Sequence, residues 1–108
     1  PKIEAMPHMK YVLIVLGIIG DKFKMDYLIS LLVGRNSAIA KSYGHNTQQW
    51  FGNGKEHSDK FWGAVIRQGL IMGLIDKNIE NYGLLAVTDK GQQYIKNPHP
   101  VQITLDHT

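Results

Sequence analysis

The chain has 108 residues, of which 44% are hydrophobic and 19% charged, with 12 Lys and Arg, 9 Asp and Glu, and no cysteine. Domains typically contain about 100–150 residues, so the chain holds one core and a multi-lobed enzyme cannot be complete in it. Disulfides and a cysteine-ligated zinc site are excluded, which favours a cytoplasmic location. The longest apolar run, residues 11–19, is much shorter than the ~20 residues that span a bilayer, so no membrane partner is expected.

Four segments carry the periodicity or the flanking signals of helices: residues 9–19, 25–33, 38–43 and 58–73. The first is apolar nearly all round, which predicts a buried helix, although its β-branched residues would also suit a strand. A glycine follows each of the first three, as is common at helix C-termini: Gly20, Gly34 and Gly44. Residues 45–55 are predicted to form a loop.

Polar residues mark the starts of two of these helices. Asn36 or Ser37 is expected to cap the helix over residues 38–43. Ser58 is expected to cap the long helix, and the carboxylate of Asp59 suits the positive end of its dipole.

After residue 73 the spacing of apolar residues changes from that of a helix to that of strands. Residues 74–79 and 82–88 are predicted to form a hairpin around Glu80 and Asn81. Gly83 is available there for a positive φ angle.

A last short helix is predicted over residues 92–96, with Thr88 and Asp89 able to cap its start. The order helix, helix, short helix, long helix and hairpin is that of a winged helix. This is an α+β, mostly helical fold in which a three-helix core carries a two-stranded β-wing. We therefore expect a winged-helix domain over residues 1–97 and a linker, a tail or a lone edge strand over residues 98–108.

The positive charge of the chain is concentrated in its middle third. Residues 35–67 contain five Lys or Arg against two acids, Glu56 and Asp59, which accounts for the whole formal net charge of +3. A basic stretch of this kind favours an anionic partner, and a winged helix with such a stretch favours DNA.

Three segments resemble the RQC domain of the RecQ family of DNA helicases. They read LLVGRNS at residues 31–37, GNGKEHSDKFW continuing to AVIRQ at residues 52–68, and LAVTDKG at residues 85–91. The stretch at residues 55–68 in the second segment is the part most specific to this family. The ending of the third segment occurs in many winged helices. The resemblance covers about residues 11–95 of the chain.

The resemblance implies the DNA-binding module of a bacterial-type, ATP-dependent 3′-to-5′ helicase. Such a module binds duplex ends, forks or junctions and helps to part the strands at the wing, in DNA repair, recombination and replication at the nucleoid. Because the chain begins at Pro1 rather than Met, we expect it to be a piece of a parent protein that also has helicase and zinc-binding domains. That parent would use ATP with Mg and hold a structural Zn, whereas no cofactor is expected in this chain.

The sequence GNGK at residues 52–55 does not make a phosphate-binding P-loop. Gln49 stands where the first glycine of that motif belongs, and Glu56 stands where Ser or Thr should follow the lysine. No arrangement of a nucleophile with His and Asp and no pair of carboxylates stands out, so no catalytic residue is expected.

Side-chain donors at helix starts and in Gly-rich loops suit contacts with DNA phosphates. The expected DNA-binding residues are Arg35, Asn36, Ser37, Lys41, Lys55, Ser58, Lys60 and Arg67. The resemblance assigns such contacts to Lys55 and to the turn of Asn36 and Ser37. The alternative is that Asn36 and Ser37 only cap a helix and that Arg35 is a solvated charge.

Two positions depart from the family pattern. Val33 and Ile39 stand where some relatives carry arginine. The phosphate contacts are therefore expected to shift to Arg35 or Lys41.

On the long helix, Lys60, Gly63 and Arg67 share one face at spacings of three and four. A glycine between two bases would let a DNA backbone come close. The alternative is an ordinary solvated stripe, and little base specificity is expected in either case.

The wing is expected to separate strands through Asn81 and Tyr82. An exposed aromatic ring can stack on the terminal base pair, and such stacking is worth about 1–3 kcal/mol per base. Either Asn81 or Ile79 could instead lie at the apex, and Tyr82 could pack against its own strand.

The remaining aromatic residues and the histidines are expected to be structural. Core or loop anchors are predicted at Trp50, Phe51, Phe61 and Trp62. The five histidines are scattered without the spacing of metal ligands, so no metal site is expected.

Two other functions are compatible with this fold. A free-standing transcriptional regulator would bind duplex DNA as a dimer, reading the major groove with Lys60, Gly63 and Arg67 and dimerising through residues 98–108. A protein-interaction domain would use the apolar surface around Trp50 and Phe51.

Overall fold

The computed structural model describes residues 2–105, and within that range the chain forms five α-helices and four short strands. The helices are α1 (Met6–Ile19), α2 (Met25–Leu32), α3 (Ala38–Tyr43), α4 (Asp59–Ile71) and α5 (Asp89–Lys96). The strands are β1 (Lys2–Glu4), β2 (Ile75–Asn78), β3 (Leu84–Val87) and β4 (Gln102–Thr104). Because α1, α2 and α4 pack on one another and β2 pairs with β3, the predicted winged helix is confirmed.

The first helix lies at the centre of the domain, in contact with α2, α4, α5 and β3. A helix that is apolar on almost every side needs such a position, because all of its faces must be buried. Six of its residues are buried: Met9, Val12, Leu13, Val15, Leu16 and Ile19. Surrounding contacts therefore decide that this β-branched segment is a helix. It begins one turn earlier than predicted, with Pro7 in the first turn, where proline is tolerated.

Three predicted caps are confirmed by their hydrogen bonds. Ser37 Oγ accepts from the backbone N–H of Ala40 at 3.1 Å, and Ser58 Oγ accepts from that of Phe61 at 3.1 Å. Thr88 Oγ1 accepts from the N–H of Gly91 at 3.0 Å. Because Thr88 is the N-cap, α5 begins at the next residue, one turn before the predicted start.

The wing is a hairpin in which Ile75 pairs with Val87 and Asn78 with Leu84. Its connection is longer than the predicted two-residue turn, and both strands are correspondingly shorter than predicted. The side chain of Asn78 accepts from the N–H of Asn81 at 3.1 Å, which stabilises a single turn of 3₁₀ helix at Ile79–Asn81. Asparagine can mimic a backbone turn in this way, so it ends β2 early.

The segment predicted to be a linker or tail is packed onto the domain as far as residue 105. Its strand β4 pairs antiparallel with β1, with Ile3 opposite Ile103. Val101 and Ile103 are buried, and the N–H of Ala5 donates to the carbonyl of Val101 at 2.7 Å. The strand predicted there is therefore paired rather than alone, and its partner β1 was not predicted. None of the helices between residues 2 and 105 has the length and apolar character needed to cross a membrane.

Replacing Ile103 with Ala is expected to lower the free energy of unfolding by about 2–4 kcal/mol, because it leaves a cavity beneath β4. Ile103 is 2% exposed, whereas Ile79 at the wing is 82% exposed and provides a matched control. Ile79→Ala is expected to change the stability by less than about 0.5 kcal/mol. Urea denaturation measures both, and equal values for the two variants would contradict the packing of β4.

Candidate nucleic-acid interface

The loop that carries Lys55 is anchored to the helical core at three points. The N–H groups of Gly52 and Gly54 donate to the carbonyls of the last two residues of α2, at 2.9 and 2.8 Å. The indole Nε1 of Trp62 on α4 donates to the carbonyl of Gly54 at 2.8 Å. A Cβ at Gly54 would overlap the ring of Trp62, so the loop can lie this close only with glycine there. These contacts give Lys55 a defined position beside the start of α4.

The same loop lies against the turn that precedes α3. Gly34 and Gly52 both have positive φ, and a Cβ on Gly34 would lie only 3.0 Å from the Cα of Gly52. The two backbones therefore pack directly on each other. As a result, the turn with Arg35, Asn36 and Ser37 lies beside the loop at the start of α4.

An ion pair connects the two turns. Arg35 Nη2 lies 2.7 Å from Asp59 Oδ1, and this hydrogen bond raises the pKa of Arg35. The side chains are 56% and 51% exposed, so solvent screens the pair. Arg35 is therefore not a fully solvated charge, but its bond to Asp59 is weak enough that a phosphate could compete for the guanidinium.

The two expected serines are helix caps, as the alternative interpretation of Ser37 required. A hydroxyl whose oxygen accepts from the backbone still has a proton to donate. Ser58 is exposed and Ser37 is half-buried, so each can cap its helix and still donate to a phosphate. The structural and the functional interpretations of these residues are therefore compatible.

The long helix presents Lys60 and Arg67 on one exposed face, about 10 Å apart along the axis for a rise of ~1.5 Å per residue. Gly63 between them is not open to a DNA backbone. Its missing side chain leaves room for the guanidinium of Arg67, whose Nη1 would lie 3.2 Å from a Cβ at that position. Arg67 and Ile103 of β4 line the same depression. Of the expected DNA-binding residues on α4, Arg67 is the one furthest along the helix from the loop of Lys55.

Tyr82 projects from the wing and does not pack against its own strand. It is 79% exposed and has a φ of 62°, an uncommon conformation for a residue with a large side chain. The Nζ of Lys24, in the turn before α2, lies 5.9 Å from the centre of its ring. Ile79 and Asn81 are exposed in the same turn.

The sequence profile of the RQC domain matches residues 3–108, nearly the whole chain. The chain belongs to the RQC domain family. It is similar to the ATP-dependent DNA helicase RecQ of Pasteurella multocida, with 26% identity, and to that of Haemophilus influenzae, with 25% identity. Each alignment has 88 residues, which are 81% of this chain and 14% of the relative. The chain therefore spans about one seventh of the length of these curated relatives.

Membership in the RQC family favours the first of the three functional interpretations over a free-standing regulator or a protein-interaction domain. Trp50 and Phe51, which the last interpretation would use, are half-buried against the core, and the neighbouring Phe61 and Trp62 are buried. The prediction that these four are structural is confirmed.

Sequence reasoning missed three features of this candidate interface. These are the pairing of Asp59 with Arg35, the anchoring of the loop by Trp62, and the approach of Lys24 to Tyr82. The partners are separated by at least eight residues, and no local spacing connects them. Only the glycine at position 54 gave a signal, since it marks a place where a side chain is excluded.

Two of the scattered histidines meet in the structure. His8 and His57 have ring centres 4.9 Å apart, and His57 stacks on Phe61 at 3.9 Å. The Nδ1 of His8 is buried without a hydrogen-bond partner among residues 2–105. Burial, with a smaller contribution from His57, lowers the pKa of His8, and burial likewise lowers the pKa of His45. The described residues contain no group of three His, Asp or Glu side chains placed to hold a metal ion.

The RQC domain is expected to lose stability as the pH falls below the ordinary histidine pKa of 6.5. The pKa values of His8 and His45 are lower in the folded than in the unfolded chain, so the unfolded chain binds more protons at a pH between the two values. Stability therefore falls as the pH drops from 6.5 to the folded-state pKa values, and then stops falling. Thermal melts at about pH 7.5 and about pH 5.5 would measure the loss. His8→Gln and His45→Gln should each reduce it, and an unchanged loss in the double variant would contradict this origin.

Proposed function

We propose that the chain is the DNA-binding domain of a RecQ-type helicase, which holds duplex ends or branched DNA by phosphate contacts while its wing helps to part the strands. The observation that carries this proposal is the direct packing of the turn before α3 on the loop before α4. This packing gathers Arg35, Lys55 and the start of α4 on one surface of a chain that belongs to the RQC family.

The chemistry of this surface suits a phosphate backbone. Lys41, Lys55 and Lys60 are exposed, and Ser58 can donate its proton at the start of α4, where the helix dipole favours an anion. Contacts of these kinds fix the position of a duplex but do not read its bases. We therefore infer binding that depends on DNA shape and salt rather than on sequence.

The motor would belong to other parts of a longer parent protein. This chain has neither a P-loop nor cysteines, so ATP with Mg and a structural Zn would be bound by the helicase and zinc-binding domains of that parent. The parent would act in DNA repair, replication and recombination, at the nucleoid in the cytoplasm.

Lys55→Ala is expected to weaken binding to a forked duplex and to reduce the slope of log K against log salt by about one, because one phosphate contact is lost. Fluorescence anisotropy between about 50 and 200 mM salt measures both quantities. Lys96→Ala, which removes an exposed lysine at the end of α5, is the matched control and should change neither. Equal effects of the two variants would count against the phosphate surface.

Removing a negative charge from the same surface provides a second test. Asp59→Asn removes the carboxylate that pairs with Arg35, so Arg35 becomes free for a phosphate and a repulsive charge disappears. The variant should bind the same duplex several-fold more tightly and with a steeper salt slope, by about one. Weaker binding would show that the ion pair positions Arg35 productively instead.

In the parent helicase, Tyr82→Ala is expected to slow unwinding while ATP hydrolysis stays near normal, because the ring that stacks on the terminal base pair is lost. Tyr82→Asn removes the ring but suits the positive φ, and Tyr82→Phe keeps the ring. Both Ala and Asn should therefore be slow and Phe normal in a fluorescence unwinding assay. Unchanged unwinding by Tyr82→Asn would remove Tyr82 from the interface.

A further inference from the structure

A second surface with a different character lies beside the wing. It is a cleft of about 560 Å³ between the turn before α2, the first turn of α2, the helix α3 and the first residue of β3. Its size falls in the range of ~300–1,000 Å³ that is usual for sites of small organic groups. None of the phosphate-binding residues considered above lines it.

One side of the cleft is a set of aromatic rings held by their contacts with one another. The ring of Phe23 lies 4.6 Å from that of Tyr27 and meets Tyr43 edge-on at 5.1 Å. His45 stacks on Tyr43 with an interplanar angle of 11°, and its Nδ1 forms a hydrogen bond of 2.6 Å with the Tyr27 hydroxyl. The cleft is therefore preformed, and its occupant would not have to order these side chains.

Part of this aromatic surface is left uncovered by the rest of the domain. Tyr43 is 56% exposed and Ile39 is 54% exposed, and both line the cleft. Exposed aromatic and β-branched side chains side by side favour contact with a flat apolar group.

The rim of the cleft is basic. Lys22 and Lys24 line it against a single acid, Asp26. Lys24 also lies over the ring of Tyr82, and the two line a smaller depression together with Lys77 and the same acid, Asp26. The two depressions share Lys24 and Asp26 and lie side by side, with Lys22, Lys24 and Lys77 outnumbering the one acid, so an occupant that is both planar and anionic can extend from one to the other.

We propose that this cleft binds an unpaired base of single-stranded DNA, with the adjoining phosphates on Lys22 and Lys24. The inference rests on the proposed function, because it places a strand that has left its duplex at the wing next to Tyr82. Base stacking on aromatic rings beside a basic track is the usual way in which single strands are bound without regard to sequence. The duplex and the single strand would then occupy different surfaces of the same domain.

The test uses the 108-residue chain and a labelled oligothymidine of about ten nucleotides, within the ~4–16 nucleotides that one single-strand-binding domain covers. Tyr43→Ala should weaken its binding about five-fold or more, from the loss of one stacked base, and leave the affinity for a blunt duplex unchanged. Ile71→Ala, at an apolar residue that is 78% exposed on α4, is the matched control and should change neither affinity.

Photocrosslinking gives a second readout that does not depend on a variant. An oligothymidine that contains 5-iododeoxyuridine should crosslink to Phe23, Tyr27 or Tyr43. Crosslinks confined to other aromatic residues, such as Trp50, would overturn the proposal.

The outcomes separate this inference from the proposed function. If wild type and Tyr43→Ala bind oligothymidine equally, or if neither binds it, the proposal that the cleft binds a base is wrong. A salt-dependent affinity for duplex in the same experiment would still support the proposed function. If the chain does not bind duplex but still binds oligothymidine through Tyr43, the proposed function is wrong and the proposal for the cleft stands. Binding of an acidic aromatic peptide in place of oligothymidine would also overturn the proposal.

Discussion

The turn before α3 and the loop before α4 meet at Gly34 and Gly52, where backbone packs on backbone with no side chain between them. Two hydrogen bonds from the loop to the end of α2 and one from Trp62 hold this contact. A side chain at either glycine would force the segments apart, and both residues also have φ angles that favour glycine. The arrangement of the charged groups on this face of the domain depends on that contact.

The polar groups on this face serve the fold and remain available to a ligand. Ser37 and Ser58 each accept a hydrogen bond from the backbone and retain a proton to donate. Arg35 has a partner in Asp59, but the pair is half exposed to water, and a second anion can compete for it. If this surface binds DNA as proposed, it would hold phosphates without a large rearrangement, which lowers the entropic cost of binding.

The wing and the aromatic cleft provide a different kind of contact. Around the two turns the available groups are charges and hydroxyls, whereas Tyr82, Tyr43 and Phe23 offer ring faces and edges. Lys24 joins the wing to the cleft because it lines the cleft and also lies over the ring of Tyr82. The proposed phosphate surface and the proposed base-binding cleft, within one small domain, would suit a substrate that is duplex on one side and single-stranded on the other.

The sequence alone was sufficient for the features that depend on neighbours a few residues away. Helices α2, α3 and α4, the caps Ser37, Ser58 and Thr88, and the presence of the wing hairpin all follow from local periodicity, capping and turn chemistry. The apolar first helix is different, because only its packing contacts distinguish it from a strand. The basic middle third and the segments that resemble the RQC domain could also be identified from the sequence alone.

Only the tertiary structure decided how distant segments meet. The pairing of Lys2 with Thr104 joins the two ends of the part of the chain that the structure describes, and three-residue strands carry too little periodicity to be found in advance. The burial of Gly63 under Arg67, the pairing of Arg35 with Asp59 and the assembly of the aromatic cleft likewise depend on packing between elements. Local propensities act over a turn or two of helix, whereas a binding surface is defined by contacts between residues far apart in the chain. The secondary structure around each candidate residue could therefore be predicted, but the residues that surround it in the fold could not.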